Sequence, residues 1–160
     1  MTLKLDPFNP RLTCECCGYP TLVAALDQHD GFEPADTLWG CPLCDWENAP
    51  LQSDGTPDPH APSGEDRNGG FTLEQARENV QVHSWMYDPQ QPEPWMAGPP
   101  TEDELALRRE LRATFEALRQ TPEREQYALW RQVEEYERSL RDVTIRHAQA
   151  AENERDSPDA

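Results

Sequence analysis

The chain has 160 residues, a formal net charge of −17, 16 prolines and only 36% hydrophobic residues. This composition is poor for a single large core, and the negative charge disfavours direct binding to nucleic acids, whose phosphates it repels. Because the N-terminus lacks the apolar stretch of a secretory signal, and no segment approaches the roughly 20 apolar residues of a membrane helix, we expect a cytoplasmic protein without membrane contact.

The negative charge is concentrated in the first half. Residues 1–88 contain 15 acidic and 4 basic residues, a net charge of −11, whereas residues 89–160 contain 16 acidic and 10 basic residues, a net charge of −6. Such a surface attracts a basic protein partner and steers it at low salt. The alternative interpretation is that the charge only keeps the protein soluble.

Two Cys-x-x-Cys pairs are the most informative motif. The pairs Cys14/Cys17 and Cys41/Cys44 are separated by 23 residues. In a reducing compartment paired cysteines favour a metal over disulfides, and two such pairs can surround one ion tetrahedrally. The spacing therefore predicts one structural Zn²⁺ with these four cysteines as ligands, which leaves no open coordination position for catalysis. The alternative is a set of free thiols.

Cys16 is the fifth cysteine and lies inside the first pair. It can replace Cys14 or Cys17 as a ligand, but the two-residue gap between those two fits the chelate better. We therefore interpret Cys16 as a spare thiol. His29, in the spacer between the pairs, is interpreted as a polar turn residue rather than a ligand.

Two short strands are predicted to flank the cysteine pairs, at residues 19–25 and 37–40, with a turn at residues 27–31. Together they outline a zinc ribbon, in which a β-hairpin brings the two cysteine loops together. Trp39 and Trp46 lie on either side of the second pair, and we expect them to form the small core of the ribbon.

Residues 48–70 are rich in Pro, Gly, Asp and Ser and predict a long acidic loop. Asp54, Asp58 and His60 within this loop allow a second metal site. We prefer to interpret them as a solvated acidic cluster. The candidate contacts for a basic partner are four acidic residues of the loop: Asp54, Asp58, Glu65 and Asp66.

A helix is predicted after this loop. Thr72 and Gln75 form a capping box ahead of an apolar face, and the helix should end near Met86, because Asp88 precedes a proline. Residues 89–100 then contain five prolines, which predict a stiff linker.

The last third predicts two amphipathic helices in an antiparallel hairpin, residues 101–151, followed by a disordered tail, residues 152–160. Thr101 and Glu104 form a second capping box, and Pro122 should occupy the first position of the second helix. The second helix has a heptad seam that also allows self-association through residues 129–147: Leu129, Val133, Tyr136, Leu140, Val143 and His147.

The outer face of this second helix is predicted to carry a surface ion pair between Glu137 and Arg141, four residues apart. Two helices alone bury little apolar area. The hairpin should therefore pack on the cysteine-rich half or on another chain.

Three sequence blocks carry a family resemblance: CECCGYPTL at residues 14–22, CPLCDWENAPLQ at 41–52 and NGGFTLEQAREN at 68–79. In this order they resemble the cysteine-rich CPCC family, small bacterial domains whose members read Cys-Pro-Cys-Cys-Gly-Tyr near the start. The resemblance covers about residues 12–88, and Glu15 stands where the family usually has proline. It implies a zinc-ribbon-like domain and an association with bacterial toxin and immunity genes.

These observations predict an α+β protein. A small zinc-ribbon-like β-hairpin domain with one helix occupies residues 1–88, and a proline-rich linker, 89–100, leads to the antiparallel helical hairpin. We expect a non-enzymatic, acidic, zinc-stabilised protein-binding module, such as an immunity protein or an inhibitor of a basic bacterial toxin. Two alternatives stay open: a zinc-ribbon adaptor subunit that acts in nucleic-acid machinery through protein contacts, and an uncharacterised enzyme.

Overall fold

The computed structural model describes residues 3–4, 6–27, 31–37, 39–52, 54–96 and 98–157. Its β part consists of four short antiparallel strands, hydrogen-bonded in the order β1-β2-β3-β4. They are β1 (Leu3–Lys4), β2 (Arg11–Leu12), β3 (Leu22–Asp27) and β4 (Gly31–Thr37). Leu12 lies opposite Leu22, so the strands that enter and leave the first cysteine loop are paired with each other.

The predicted β-hairpin is present, but its second strand lies before the predicted position. β3 begins at Leu22 instead of residue 19 and continues to Asp27, and β4 ends at Thr37, where the sequence predicts the second strand to begin. β4 contains glycine, proline and aspartate, which are weak strand formers, so its pairing with β3 defines it more than its own propensity does. Residues 28–30 of the predicted turn lie outside the described residues.

Two helices lie in the cysteine-rich half. The short α1 (Gly64–Arg67) lies within the predicted loop, and α2 (Leu73–His83) begins at the predicted capping box. The Thr72 hydroxyl accepts a hydrogen bond from the Gln75 N–H (3.1 Å), and the Gln75 side chain accepts one from the Thr72 N–H (3.0 Å). The capping box therefore satisfies two of the backbone donors at the start of α2.

α2 ends earlier than predicted, at His83 rather than near Met86. Ser84 follows in a left-handed conformation (φ 56°), which terminates the helix. Residues 85–87 are all buried, and the Met86 N–H donates to the Cys44 carbonyl (2.9 Å). The apolar residues after α2 therefore leave the helix to pack against the second cysteine pair.

The last third forms two helices in contact, as predicted: α3 (Glu102–Gln120) and α4 (Tyr127–Arg155). They run antiparallel, because Glu104 near the start of α3 contacts His147 near the end of α4 (Oε1–Nδ1 2.8 Å). Residues 152–155, which the sequence places in the tail, belong to α4. None of the helices in the described part of the chain combines the length and apolarity needed to cross a membrane.

The connection between α3 and α4 differs from the prediction. Pro122 precedes a 3₁₀ turn (Glu123–Glu125) and does not occupy the first position of α4. Gln126 accounts for this arrangement, because its side-chain amide donates to the Leu118 and Thr121 carbonyls (2.9 and 2.8 Å). These bonds satisfy carbonyls that the end of α3 leaves without a helical partner.

One hydrophobic core extends through both halves of the chain. Tyr19, beside the first cysteine pair, stacks on Phe115 of α3 (5.5 Å between ring centres), and Trp130 of α4 packs edge-on against Phe115 (6.3 Å). The helical pair therefore packs on the cysteine-rich half, one of the two arrangements expected from the sequence. The largest fully buried side chains come from both halves: Trp46, Trp130, Arg11, Phe115, Leu22, Leu43, Met86, Leu111 and Val133.

The buried face of α4 differs from the predicted heptad seam. Trp130 and Glu137 lie in it, each one position after a seam residue that is only half-buried. Val133 and Leu140 are the fully buried seam residues, and they pack inside this chain. Self-association through residues 129–147 therefore stays a prediction.

Glu137 is buried because it binds a buried arginine, and the predicted surface pair with Arg141 is wrong. Arg11 of β2, whose side chain is 1% exposed, donates to both Glu137 oxygens (3.0 and 2.8 Å) and to Asp6 (2.5 Å). Its guanidinium lies over the Trp130 ring, 5.4 Å from the centre. Burial opposes the charge of Arg11, but hydrogen bonds and charges of Glu137 and Asp6 outweigh burial and raise its pKa.

Replacing Arg11 by methionine should lower the free energy of unfolding by about 3–5 kcal/mol, because two buried carboxylates lose their cation. Urea titration of the metal-loaded protein measures this loss. Arg141→Met is the matched control, since Arg141 is exposed, and it should change the stability by less than about 0.5 kcal/mol. Equal stability of the two variants would contradict a structural role for the buried ion cluster.

Candidate metal centre

The four cysteines of the two Cys-x-x-Cys pairs form one cluster. Their Sγ atoms all lie within 4.8 Å of one another, and the Cys14–Cys44 and Cys17–Cys41 separations are both 3.8 Å. A tetrahedron of sulfurs around an ion, with metal–sulfur distances of about 2.3 Å, has edges of about 3.8 Å. A disulfide needs an S–S distance of about 2.05 Å, and all the cysteines are free. The donor set therefore fits one tetrahedral metal ion.

The two cysteine loops have the same backbone geometry. The carbonyl of the first cysteine in each loop accepts from the N–H four residues later, which is Gly18 for Cys14 (3.0 Å) and Asp45 for Cys41 (2.9 Å). Both donating residues are left-handed, with φ 75° at Gly18 and 68° at Asp45. Glycine adopts this conformation freely and aspartate tolerates it. Two equivalent loops therefore each supply two sulfurs.

Two buried polar side chains contact the sulfurs. The Thr21 hydroxyl lies 3.0 Å from the Cys41 sulfur, and the Asn48 amide donates to the Cys14 sulfur (3.5 Å). Asn48 also accepts from the Glu15 N–H (2.7 Å), so it connects the segment after the second pair to the first loop. Contacts of this kind orient metal ligands and modulate the charge on the sulfurs.

Burial raises the pKa of Cys41 and Cys44. Thiolates in this interior therefore need a nearby positive charge. A metal ion bound by Cys14, Cys17, Cys41 and Cys44 would supply that charge, and its binding would displace the thiol protons. With four protein ligands the ion would hold the two loops together and would have no position left for a substrate.

Arginine side chains bind the carbonyls of both cysteine loops. Arg77 of α2 and Arg119 of α3 donate to carbonyls of the first loop (2.7 and 3.0 Å). Arg108 of α3 donates to the Leu43 carbonyl in the second loop and pairs with Asp45 (3.1 Å). These cations lie beside a centre that four thiolates would make negative, and so they would favour its charged form.

The sequence also offers Cys16 and His29 as candidate ligands. Cys16 is buried but lies outside the group of four sulfurs, and His29 lies outside the described residues. Across the residues that the structure describes, no second group of histidine, cysteine and carboxylate side chains is placed to hold a metal. The alternative metal site around His60 is therefore absent from the described residues.

The acidic residues assigned to partner binding lie on two parts of the 48–70 loop. One part is a narrow turn in which Leu51 pairs with Pro57, and the other is the first turn of α1. Hydrogen bonds from the Thr56 hydroxyl and N–H lower the pKa of Asp54, so it stays ionised at neutral pH. Asp58 is half-buried and the other three residues are exposed: Asp54, Glu65 and Asp66.

The Cys41→Ser variant should lose the metal together with the fold, because one of four ligands is removed from a buried site. Elemental analysis gives the metal content, expected at about one ion per chain in the native protein, and circular dichroism follows the fold. Cys16→Ser is the matched control and should keep both. Retention of the ion by Cys41→Ser, or its loss from Cys16→Ser, would contradict the assignment of ligands.

The Arg108→Met variant tests the support of the second cysteine loop by α3. It leaves the buried Leu43 carbonyl without its donor, which should cost about 1–3 kcal/mol in the free energy of unfolding. A chelator competition should also show weaker metal binding. Arg109→Met is the control, since Arg109 is exposed and pairs only with exposed Glu102; a loss as large as that of Arg108→Met would contradict the assigned role.

Comparison of the chain with models of known protein families, with curated proteins and with solved structures finds no match. The resemblance of residues 12–88 to the CPCC family therefore stays a prediction that rests on three sequence blocks. The candidate site is defined by its geometry: four sulfurs on two equivalent loops, held by polar contacts from two helices, α2 and α3, and from the loop that follows the second pair.

Proposed function

We propose that this chain is a non-enzymatic, zinc-stabilised protein-binding module whose acidic surface binds a basic protein, as an immunity protein or an inhibitor of a basic bacterial toxin does. One observation carries the proposal: arginines of the cysteine-rich half are engaged in internal contacts, while acidic residues of the same half face solvent. Among the described residues of this half, exposed acidic side chains therefore outnumber exposed basic ones.

The internal contacts of these arginines are specific. Arg11 is enclosed in the buried ion cluster, and Arg77 donates to the Glu15 carbonyl of the first cysteine loop. Arg67 donates to the Glu47 and Pro62 carbonyls. In contrast, acidic side chains of the described residues in this half are exposed: Asp45, Glu47, Asp54, Glu65, Asp66, Glu74 and Glu78.

The acidic loop is attached to the metal-binding region. Asn68 accepts from the Glu47 N–H (2.7 Å) and donates to the Glu47 carbonyl (3.0 Å), so the end of the loop is joined to the residues after the second cysteine pair. The ring of Trp46 lies against Gly64 at the start of α1. A charged loop that is already held in place loses less entropy on binding than a mobile one.

Zn²⁺ is the ion that suits this centre best. Soft thiolate ligands and tetrahedral geometry are the combination that zinc prefers in structural sites. The elemental analysis described above for the cysteine variants distinguishes zinc from iron. Because four cysteines complete the coordination, the proposed role of the ion is to shape the surface, and no reaction is assigned to it.

The acidic loop is tested with a fourfold variant, Asp54→Asn, Asp58→Asn, Glu65→Gln and Asp66→Asn. The partner is captured with the tagged native chain from its own cells, identified by mass spectrometry and titrated at low and high salt. Affinity for a basic partner should fall with salt, and the variant should bind at least about tenfold more weakly at low salt.

The matched control removes the same charge from the helical pair, with Glu123→Gln, Glu125→Gln, Glu135→Gln and Asp142→Asn, all exposed positions. It should retain most of the affinity. Partner binding that is insensitive both to salt and to the loop variant would overturn the proposal. Capture of polymerase or nuclease subunits through salt-insensitive contacts would instead favour the adaptor function.

A further inference from the structure

A cavity of about 670 Å³ opens between the second cysteine loop, the proline-rich segment 89–100 and α4. Its far wall is the C-terminal end of α4, where Ala148, Glu152 and Arg155 face the space. α3 begins close to the contact between Glu104 and His147, so the last two turns of α4 extend past α3. This overhang keeps the cavity open, and the volume falls in the range of ligand-binding sites.

The near wall of the cavity is aromatic. Tyr87 contacts two tryptophan rings edge to face, Trp85 at 5.0 Å and Trp95 at 5.7 Å between ring centres. Trp85 and Tyr87 are buried, whereas Trp95 is 65% exposed. Trp95 therefore faces solvent while the buried pair holds its ring in place. Tryptophans in such positions often contribute most of the binding energy of protein interfaces.

Carboxylates surround this aromatic wall. Burial and then the charges of Asp45, Glu93 and Glu47 raise the pKa of Tyr87 to about 12. Inside the cavity, Arg108 is paired with Asp45 and Glu104 contacts His147, whereas Glu47 and Glu93 add negative charge beside Tyr87. The potential next to the aromatic wall is therefore negative, and it favours a cation over an anion or a neutral group.

We infer that this cavity receives an arginine side chain of the basic partner, with its guanidinium stacked on Trp95 and its charge facing the carboxylates around Tyr87. The inference rests on the proposed function and names the part of the partner that enters the site. A basic partner suits the cavity better than a second copy of this chain does, because two chains of −17 repel each other.

Arginine suits the site better than lysine does. Its guanidinium is planar and weakly hydrated, so it stacks on aromatic faces at a lower desolvation cost than an ammonium group. The same stacking already occurs inside this chain, where Arg119 lies over Tyr19 (4.5 Å) and Arg108 over Trp85 (5.7 Å). A methylene stem of the arginine would lie along the apolar wall beside Met96.

The test uses the full-length, metal-loaded protein and a peptide of alternating glycine and arginine as the probe. Indole N–H signals of the five tryptophans are followed by NMR, and the Trp95 signal is the one that Trp95→Phe removes. It should shift saturably on titration, whereas the signals of buried Trp46 and Trp130 should not. The matched lysine peptide should bind more weakly, and the neutral citrulline peptide should not bind.

The variant Trp95→Leu keeps an apolar side chain but removes the aromatic face, and it should weaken binding of the arginine peptide by about 3- to 30-fold. Trp95→Phe should lose less. Tyr127→Leu is the control, because it removes an exposed aromatic ring at the other end of α4, and it should leave the affinity unchanged.

The outcomes separate this inference from the proposed function. Equal affinity of Trp95→Leu and the native protein, an unmoved Trp95 signal, or equal binding of the citrulline peptide would overturn the inference. If the fourfold loop variant then still abolishes binding, the proposed function stands without the cavity. If no cationic peptide binds at all, the inference is overturned, and the salt dependence of the captured partner decides the proposed function. A loss with Trp95→Leu but not with the loop variant supports the cavity and contradicts the role of the loop.

Discussion

Four sulfur atoms within 4.8 Å of one another are the constraint on which the rest of the structure depends. As thiolates they repel one another and are costly to bury, so they need a cation at their centre and positive groups around them. The structure is compatible with both, because two equivalent loops place their sulfurs where one ion would bind, and arginines of α2 and α3 bind the loop carbonyls. A metal bound there would add to the stability that this acidic chain gains from its hydrophobic core.

The helical pair belongs to this arrangement and is not a separate appendage. Arg108 reaches the second loop, Arg119 the first, and Phe115, between them in sequence, stacks on Tyr19. These three residues lie on the side of α3 that faces the cysteine loops. On α4, Glu137 binds Arg11 of β2, so both helices are joined to the cysteine-rich half by charges as well as by apolar contacts. A pair of helices with a small apolar stripe gains stability from such contacts.

The grouping of the four cysteines, the capping box of α2 and the helical pair follow from the sequence, because short-range spacing and periodicity encode them. Positions that depend on buried charge do not. The spacing of apolar residues assigns Arg11, Arg108 and Glu137 to solvent-facing positions, yet all three are buried. Their burial is favourable only because the fold places a charged or hydrogen-bonding partner beside each of them. The extent of β4 and the late start of α4 also depend on contacts between elements. Pairing with β3 determines where β4 lies, and hydrogen bonds from the Gln126 side chain to the end of α3 determine where α4 begins. Local propensity cannot report either contact.

The arginines that form contacts inside the protein also affect the charge of its surface. Burial of Arg11 and Arg108 removes two positive charges from the surface, while the carboxylates of Asp54, Glu65 and Asp66 stay exposed. Burial of these arginines therefore stabilises the fold and also makes the surface more acidic, and that acidity would attract a basic partner. A substitution that frees such an arginine would both weaken the fold and make the surface less acidic. Changing loop carboxylates alters the surface alone, which is why the loop is the part of this chain where binding can vary without loss of the metal centre.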